Sequence, residues 1–356
     1  MDLGWLSWLW IVPVLGVLVF VHELGHFVTA RMFGIRVDEF GFGFPPRLFG
    51  IKRGGVLYSL NAIPVGGFVR IYGENGENAN EPYAFGAKPW WQRAIVLSAG
   101  SAMNVLLAFL IFALLAMTVG VAVGGRGAVI SSVVPDSPAA AAKLQPGDKL
   151  RSIAGVPIKT PEDVRTTVGT ALDRPVPVVV ERGGREITLQ VTPSSKRSRE
   201  QGALGVQTSA EQVIYERQDP LTALRVGARQ TFDTVVLFVT GIAALITGRA
   251  DVGGLAGPVG IAQMTSTVAE QARFVGLLTW TAFLSLNLFF VNMLPLPALD
   301  GGRLVFVLLE AIRRKKVAPQ KEAVVHAVGM MLLLMFLIVI SFFDVRRIVE
   351  GNSLLP

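Results

Sequence analysis

The hexapeptide Val21-His22-Glu23-Leu24-Gly25-His26 decides how the rest of this chain is read. It is an H-E-x-x-H at the end of a run that carries no charge from Leu3 to Val21. On a helix, residues four apart project from nearly the same face, so His22 and His26 can share one metal ion while Glu23 stands beside the metal's water. Inside a membrane-length segment, each such polar group costs on the order of 2 to 3 kcal/mol unless it has a partner. The cluster therefore reads as a metal site for hydrolysis rather than as two histidines satisfying a core.

Composition supports a lipid setting. Of 356 residues, 51% are hydrophobic and 17% charged, with a mean hydropathy of +0.52, which is a membrane profile. There is no cysteine, so disulfides and thiolate ligands are excluded and a metal must be held by histidine and carboxylate. The net charge of +7 does not point to nucleic acid, because the basic residues gather in loops beside apolar runs instead of along one face.

Working outward, residues 1–33 form the first membrane helix, read as retained rather than as a signal peptide because no basic n-region or small-residue cleavage pattern accompanies it. Residues 34–92 carry an excess of Lys and Arg that marks a cytoplasmic loop. Within it, Val56 to Tyr72, broken by Pro64 and Gly66-Gly67, reads as a β-hairpin. Its edge, with Asn61, Gly66 and Gly67 as candidate substrate-binding residues, could hold an extended peptide by strand addition; a plain turn packed on the helices is the equal alternative. Residues 93–123 are the second span. Small residues from Ser98 to Ala102 suit close helix packing, and Asn104 is a packing residue or a neighbour of the metal and substrate.

Residues 124–195 turn soluble in composition, with short β-rich runs between Gly and Pro turns and a helix opening at Pro161, as expected of a small α+β domain. Residues 196–272 are a connector with a short interfacial helix at about 234–248, where only 15 residues lack charge, and a Gly-rich loop at 253–260. Residues 273–311 give the third span, ending in Asn292-Met293-Leu294-Pro295-Leu296-Pro297-Ala298-Leu299-Asp300-Gly301. Its prolines require freed backbone to be buried or to line a polar cavity. A basic loop (312–322), a fourth span (323–345) and a tail (346–356) complete the chain.

With four spans, the basic loops after the first and third fall on one side, the cytoplasmic one. That puts His22, His26 and Asp300 at the same end. Zinc on two histidines needs a third protein ligand and an open position for water, and Asp300 is the best candidate, against a helix cap or turn aspartate. His326 is an alternative ligand but reads better as a satisfied or interfacial histidine.

Taken together, these motifs resemble the site-2 protease family of intramembrane zinc proteases, and most closely its bacterial branch of regulator of sigma-E proteases. The resemblance rests on His22 to His26, the small-residue run ending at Asn104, Gly257-Pro258 and Asn292 to Gly301. It also rests on an inserted domain similar to a PDZ domain, carried by S-P-A-x-x-A-x-L-x-x-G-D-x-L-x-x-I-x-G at Ser137 to Gly155, with Lys143 where such domains usually have glycine. It implies an α-helical membrane protein of four transmembrane helices with a cytoplasmic-side re-entrant β-hairpin. It implies Zn2+ held by His22, His26 and Asp300, Glu23 as catalytic acid/base, and Asn292 near the substrate. The implied partners are single-pass membrane proteins (anti-sigma factors, remnant signal peptides), the lipid bilayer, and a peptide or protein ligand of the PDZ-like domain. The implied place is a bacterial inner membrane, with that domain extracytoplasmic and the active site towards the cytoplasm. Three rivals are a membrane-tethered protease cutting soluble chains, a metal transporter and an idle scaffold. The apolar run leading into His22, the lack of a polar path along the spans, and the complete set of His22, Glu23, His26 and Asp300 argue against them in turn.

Overall fold

The computed structural model describes residues 4–350 apart from 75, 77, 79, 80, 197–201 and 250–255. The start of the expected 253–260 loop and the end of the tail, 351–356, lie outside the described residues. The chain divides into two units, one of residues 1–115 and 220–356, the other of residues 116–219.

In the first unit a 3-10 turn, Gly4–Trp10, leads into α1, Ile11–Met32. This helix lies on α2, Trp90–Thr118. A Cβ added at Gly25 would collide with the backbone of Ala99, so α1 and α2 touch backbone to backbone only because glycine stands there. Two long strands follow α1, β1 Val37–Arg53 and β2 Val56–Ile71. The hairpin expected within Val56 to Tyr72 does not form, because its two halves pair with β1 and not with each other. Both strands bend, so residues 39–42 pair on one side with 57–60 and on the other with 67–70, while 47–53 pairs with 56–61. Segment 66–71 is thus an outer edge of the sheet, and it is the segment beside α1: Gly66 lies next to Val19 and Gly67 next to Glu23.

Five helices are long and apolar enough to cross a membrane, against the four spans expected: Ser7–Met32, Trp90–Thr118, Pro220–Leu245, Pro258–Met293 and Gln320–Val349. The addition is α5, Pro220–Ile246, expected as a short element at 234–248. Its charged residues Arg225, Arg229 and Asp233 recur every four positions, which is one face of a helix, and Arg229 pairs with Asp233 at 3.6 Å. A search for charge-free sequence stops at Asp233; the helix does not.

The third span differs too. Helix α6, Pro258–Met293, contains Arg273 at φ 50, ψ −146, where it folds back on itself. Trp280 Nε1 donates to Thr265 Oγ1 at 2.9 Å, although residues 15 apart in a straight helix would be roughly 22 Å apart. Residues 258–272 and 274–293 are therefore antiparallel neighbours, and Ile261 and Ala269 of the first and Trp280 and Leu288 of the second pack against one buried cluster with Val14, Leu18, Leu277 and Leu284. After Met293 the two prolines end the helix, and α7, Asp300–Arg313, starts afresh. The expected single helix 273–311 is thus two helices joined by a loop. Helix α8, Pro319–Val349, completes the unit.

The second unit is wider than the 124–195 expected, because residues 206–216 of the presumed connector supply two strands. Strands β3 (Val121–Arg126) and β4 (Ala128–Val133), helix α3 (Pro138–Ala141), strands β5 (Lys149–Ile153) and β6 (Val156–Pro157) and helix α4 (Pro161–Gly169) precede β7 to β10. The last four are Val176–Arg182, Arg185–Val191, Val206–Ser209 and Gln212–Glu216. The main sheet runs β8-β7-β5-β4-β9, with β6 on β5, and β10 pairs with β3. Ile130, Leu150, Ile153, Val178, Val180 and Val191 are its fully buried core. Thr160 and Asp163 form a reciprocal capping box on α4. Lys143 has φ 62, the left-handed conformation for which glycine is the ordinary choice.

Candidate metal centre

The helical spacing of α1 does what the sequence promises: His22 and His26 are buried with their Nε2 atoms 3.1 Å apart. Asp300, the first residue of α7, puts Oδ2 at 3.0 Å from His22 Nε2 and 3.3 Å from His26 Nε2. Zinc bonds of about 2.0–2.1 Å at tetrahedral angles place neighbouring ligand atoms ~3.3 Å apart. Three separations of 3.0 to 3.3 Å match that edge, and among the described residues this is the group of three His and acidic side chains able to hold one ion. The donors present fit the metal.

The outer nitrogens are engaged as metal-binding imidazoles require. His26 Nδ1 donates to the Val96 carbonyl of α2 at 2.8 Å. His22 Nδ1 faces the amide of Asn104, 3.2 Å from Nδ2, while Asn104 Oδ1 is buried without a partner. Metal on His22 Nε2 requires a proton on Nδ1, and an Asn104 amide turned by 180° meets it with the oxygen now orphaned. Asn104 is anchored in turn, its carbonyl accepting from Ser285 Oγ at 2.8 Å. Asn292 Nδ2 lies 3.5 Å from His22 Nε2, so its amide stands beside the cluster.

Glu23 Oε2 accepts the Val69 N–H at 3.0 Å. The sheet edge and the carboxylate next to the histidines are thus in direct contact. Of the other expected residues, Gly67 is at Glu23, where a Cβ would meet Gly41 O at 2.9 Å and Glu23 Cγ at 3.9 Å. Gly66 takes φ 88 to make the turn against α1. Asn61 is not at the cluster: it is buried within the sheet and donates to Gly43 O at 3.0 Å. His326, the alternative ligand, is not in the group of His22, His26 and Asp300; its Nδ1 accepts the Ala298 N–H at 2.8 Å.

The structure adds residues that spacing does not reveal. A Cβ on Gly100 would collide with His26 Nε2 and lie 2.8 Å from His22 Cε1, so the imidazoles sit where a side chain would be. Gly301 and Gly302 carry no Cβ where the backbone of Met293 to Leu296 folds over the start of α7. Arg303, one turn after Asp300, pairs with Glu74 in the loop after β2. Burial pushes the Glu74 carboxyl up, with Arg303 drawing it back.

A histidine pair and an adjacent glutamate on a helix of membrane length, met by a carboxylate at the start of the short helix α7, define a class: a membrane-embedded metallohydrolase. The comparisons give the family. Residues 10–336 match the model of peptidase family M50. The zinc metalloprotease RasP of Geobacillus kaustophilus is 31% identical over 94% of this chain and 97% of its own length. The regulator of sigma-W protease RasP of Bacillus subtilis is 30% identical over the same shares. The chain belongs to peptidase family M50 and is a zinc metalloprotease of the membrane.

Proposed function

We propose that this protein is an intramembrane endopeptidase that cuts single-pass membrane proteins within their transmembrane segments, with His22, His26 and Asp300 as the zinc ligands and Glu23 as general base and acid. The convergence of Nε2, Nε2 and Oδ2 at about one tetrahedral edge carries the reading. Bound zinc supplies a water of pKa near 7 and polarises the scissile carbonyl. Glu23 takes the proton of the attacking water and returns it to the leaving amine. A transmembrane helix hides its carbonyls in intrahelical bonds, so the substrate must be extended first. The 66–71 edge, with Val69 N–H at Glu23 and Gly67 bare of side chain beside it, offers a strand for it to join. Asn292, whose amide lies 3.5 Å from His22 Nε2, would bind the substrate beside the cluster.

The sidedness follows the same reading. Segment 274–293 runs parallel to α1: Ser7 bonds Glu270 at 2.6 Å near one end, and Asn292 meets His22 at the other. Segment 258–272 returns antiparallel to 274–293, so the extra apolar helix α5 is compatible with Asp300 lying beside the histidines. The cluster faces the cytoplasm of a bacterial inner membrane. The 116–219 unit is an extracytoplasmic PDZ-like domain that binds a peptide or holds bulky substrates away. Anti-sigma factors and remnant signal peptides are the substrate class, in keeping with the regulator of sigma-W protease among the relatives.

Glu23→Gln tests the mechanism. Cleavage of a single-pass substrate in proteoliposomes should vanish while zinc stays bound; undiminished cleavage overturns the assignment of the base.

A further inference from the structure

The loop 294–299 places Asp300, and its backbone accounting has one member out of place. Pro295 and Pro297 have no N–H. Leu294 N–H bonds Val291 O, Leu296 bonds Leu294 O, and Leu299 bonds Leu296 O. The remaining donor, on Ala298, leaves the loop and is accepted at 2.8 Å by Nδ1 of His326 on α8. Ala298 also has φ 79, a conformation an L-residue holds only when its surroundings impose it. In a membrane no water stands in for a missing acceptor.

His326 is itself held. Its ring lies 5.5 Å from that of Phe306 on α7. One turn on, Gly329 lets α8 press against Pro297, where a Cβ would meet the Pro297 carbonyl carbon at 3.0 Å. Its Nε2 is buried without a hydrogen bond, with Glu322 Oε1 the nearby carboxylate at 3.7 Å. A carboxylate on that side favours the tautomer with the proton on Nε2, which leaves Nδ1 free to accept.

We propose that His326 is a positioning residue for the metal centre: by accepting the Ala298 N–H it fixes the strained loop that aims the Asp300 carboxylate at the histidines. The inference rests on Asp300 being a zinc ligand. His326 touches neither metal nor substrate; it acts two residues away through the backbone.

The test uses the full-length protein in detergent, loaded with Zn2+ or Co2+, and reads metal affinity by chelator competition and the visible spectrum of the Co2+ form. His326→Phe keeps the ring and removes the acceptor. His326→Asn puts an amide oxygen near the place of Nδ1, and His326→Gln puts one near Nε2 instead. Loss of an outer partner of a metal site costs about 10- to 100-fold in affinity. His326→Phe and His326→Gln should show that loss and an altered Co2+ spectrum, and His326→Asn should remain close to wild type. Should His326→Phe fail to fold, the Asn and Gln pair decides alone. Wild-type affinity and spectrum in His326→Gln, or an equal loss in Asn and Gln, overturns the proposal. Asp300→Asn, run alongside, separates the two levels: if it binds metal as wild type does, the ligand assignment fails, whereas if it loses metal and His326→Gln does not, only the role of His326 fails.

Discussion

Gly100 has no side chain, and two imidazoles fill the space where one would stand. Gly100→Ala should therefore weaken zinc binding by at least about tenfold, as loss of ligand support does elsewhere, measured by chelator competition; unchanged affinity would mean the rings have room that the structure denies them. At this scale the sequence is legible where chemistry follows local spacing. His22, Glu23 and His26 stand out from one helical turn, and Asp300 from a proline-broken segment that a membrane tolerates only at a cavity. Gly100 is different. Its need for hydrogen in place of Cβ arises from contact between helices some 75 positions apart, and in sequence it is one of several small residues fit for helix packing. Asn104, read as a packing residue or a neighbour of the metal, turns out to meet the outer nitrogen of His22.

The sheet edge and the latch on α7 belong to the scale of elements. Val69 spends its N–H on Glu23 rather than on its partner strand, so Val69→Pro removes that donor without breaking the ladder, as prolines on edge strands do. Cleavage should fall about tenfold or more with zinc retained; full activity would show that the edge does not serve the base. The Glu74–Arg303 pair ties the loop after β2 to the helix that begins with Asp300. A double-mutant cycle on Glu74→Gln and Arg303→Gln, read by thermal unfolding, should give a coupling of about 0.5 to 3 kcal/mol, and additive effects would mean that no latch exists. Elements were read less well than residues. Charge-free length found α1, α2 and α8 but cut α5 short, because a helix tolerates a charged stripe that a window count does not. The reversal at Arg273 had no proline to announce it; tertiary packing of Thr265 on Trp280 holds it instead.

On the scale of the molecule, the two units answer to different physics. The unit carrying the membrane-length helices is held by close helix contacts and a buried polar centre; the inserted unit has its own hydrophobic core. In the latter, burial pushes the Asp148 carboxyl up, but the Arg182 guanidinium at 2.6 Å and the Gln145 N–H more than offset it and hold it below the ordinary carboxylate value. A lowered carboxylate pKa contributes stability above the unfolded value of about 3.9 and loses it as pH falls through the folded value. Acid unfolding of this unit should begin below that point, and Asp148→Asn should flatten its pH dependence; an unchanged acid limb would remove Asp148 from the account. The Gly- and Pro-punctuated run from Ser137 to Gly155 signals the inserted unit, but not its closing strands at 206–216, which lie in a polar stretch with little apolar alternation.

The central claim is that side chains from the first helix and from the start of α7 hold one ion. It is tested most directly by zinc content after dialysis against a chelator, comparing wild type, Glu23→Gln and Asp300→Ala. One zinc per chain in the first two and none in Asp300→Ala is the predicted result; zinc retained equally by Asp300→Ala would contradict it.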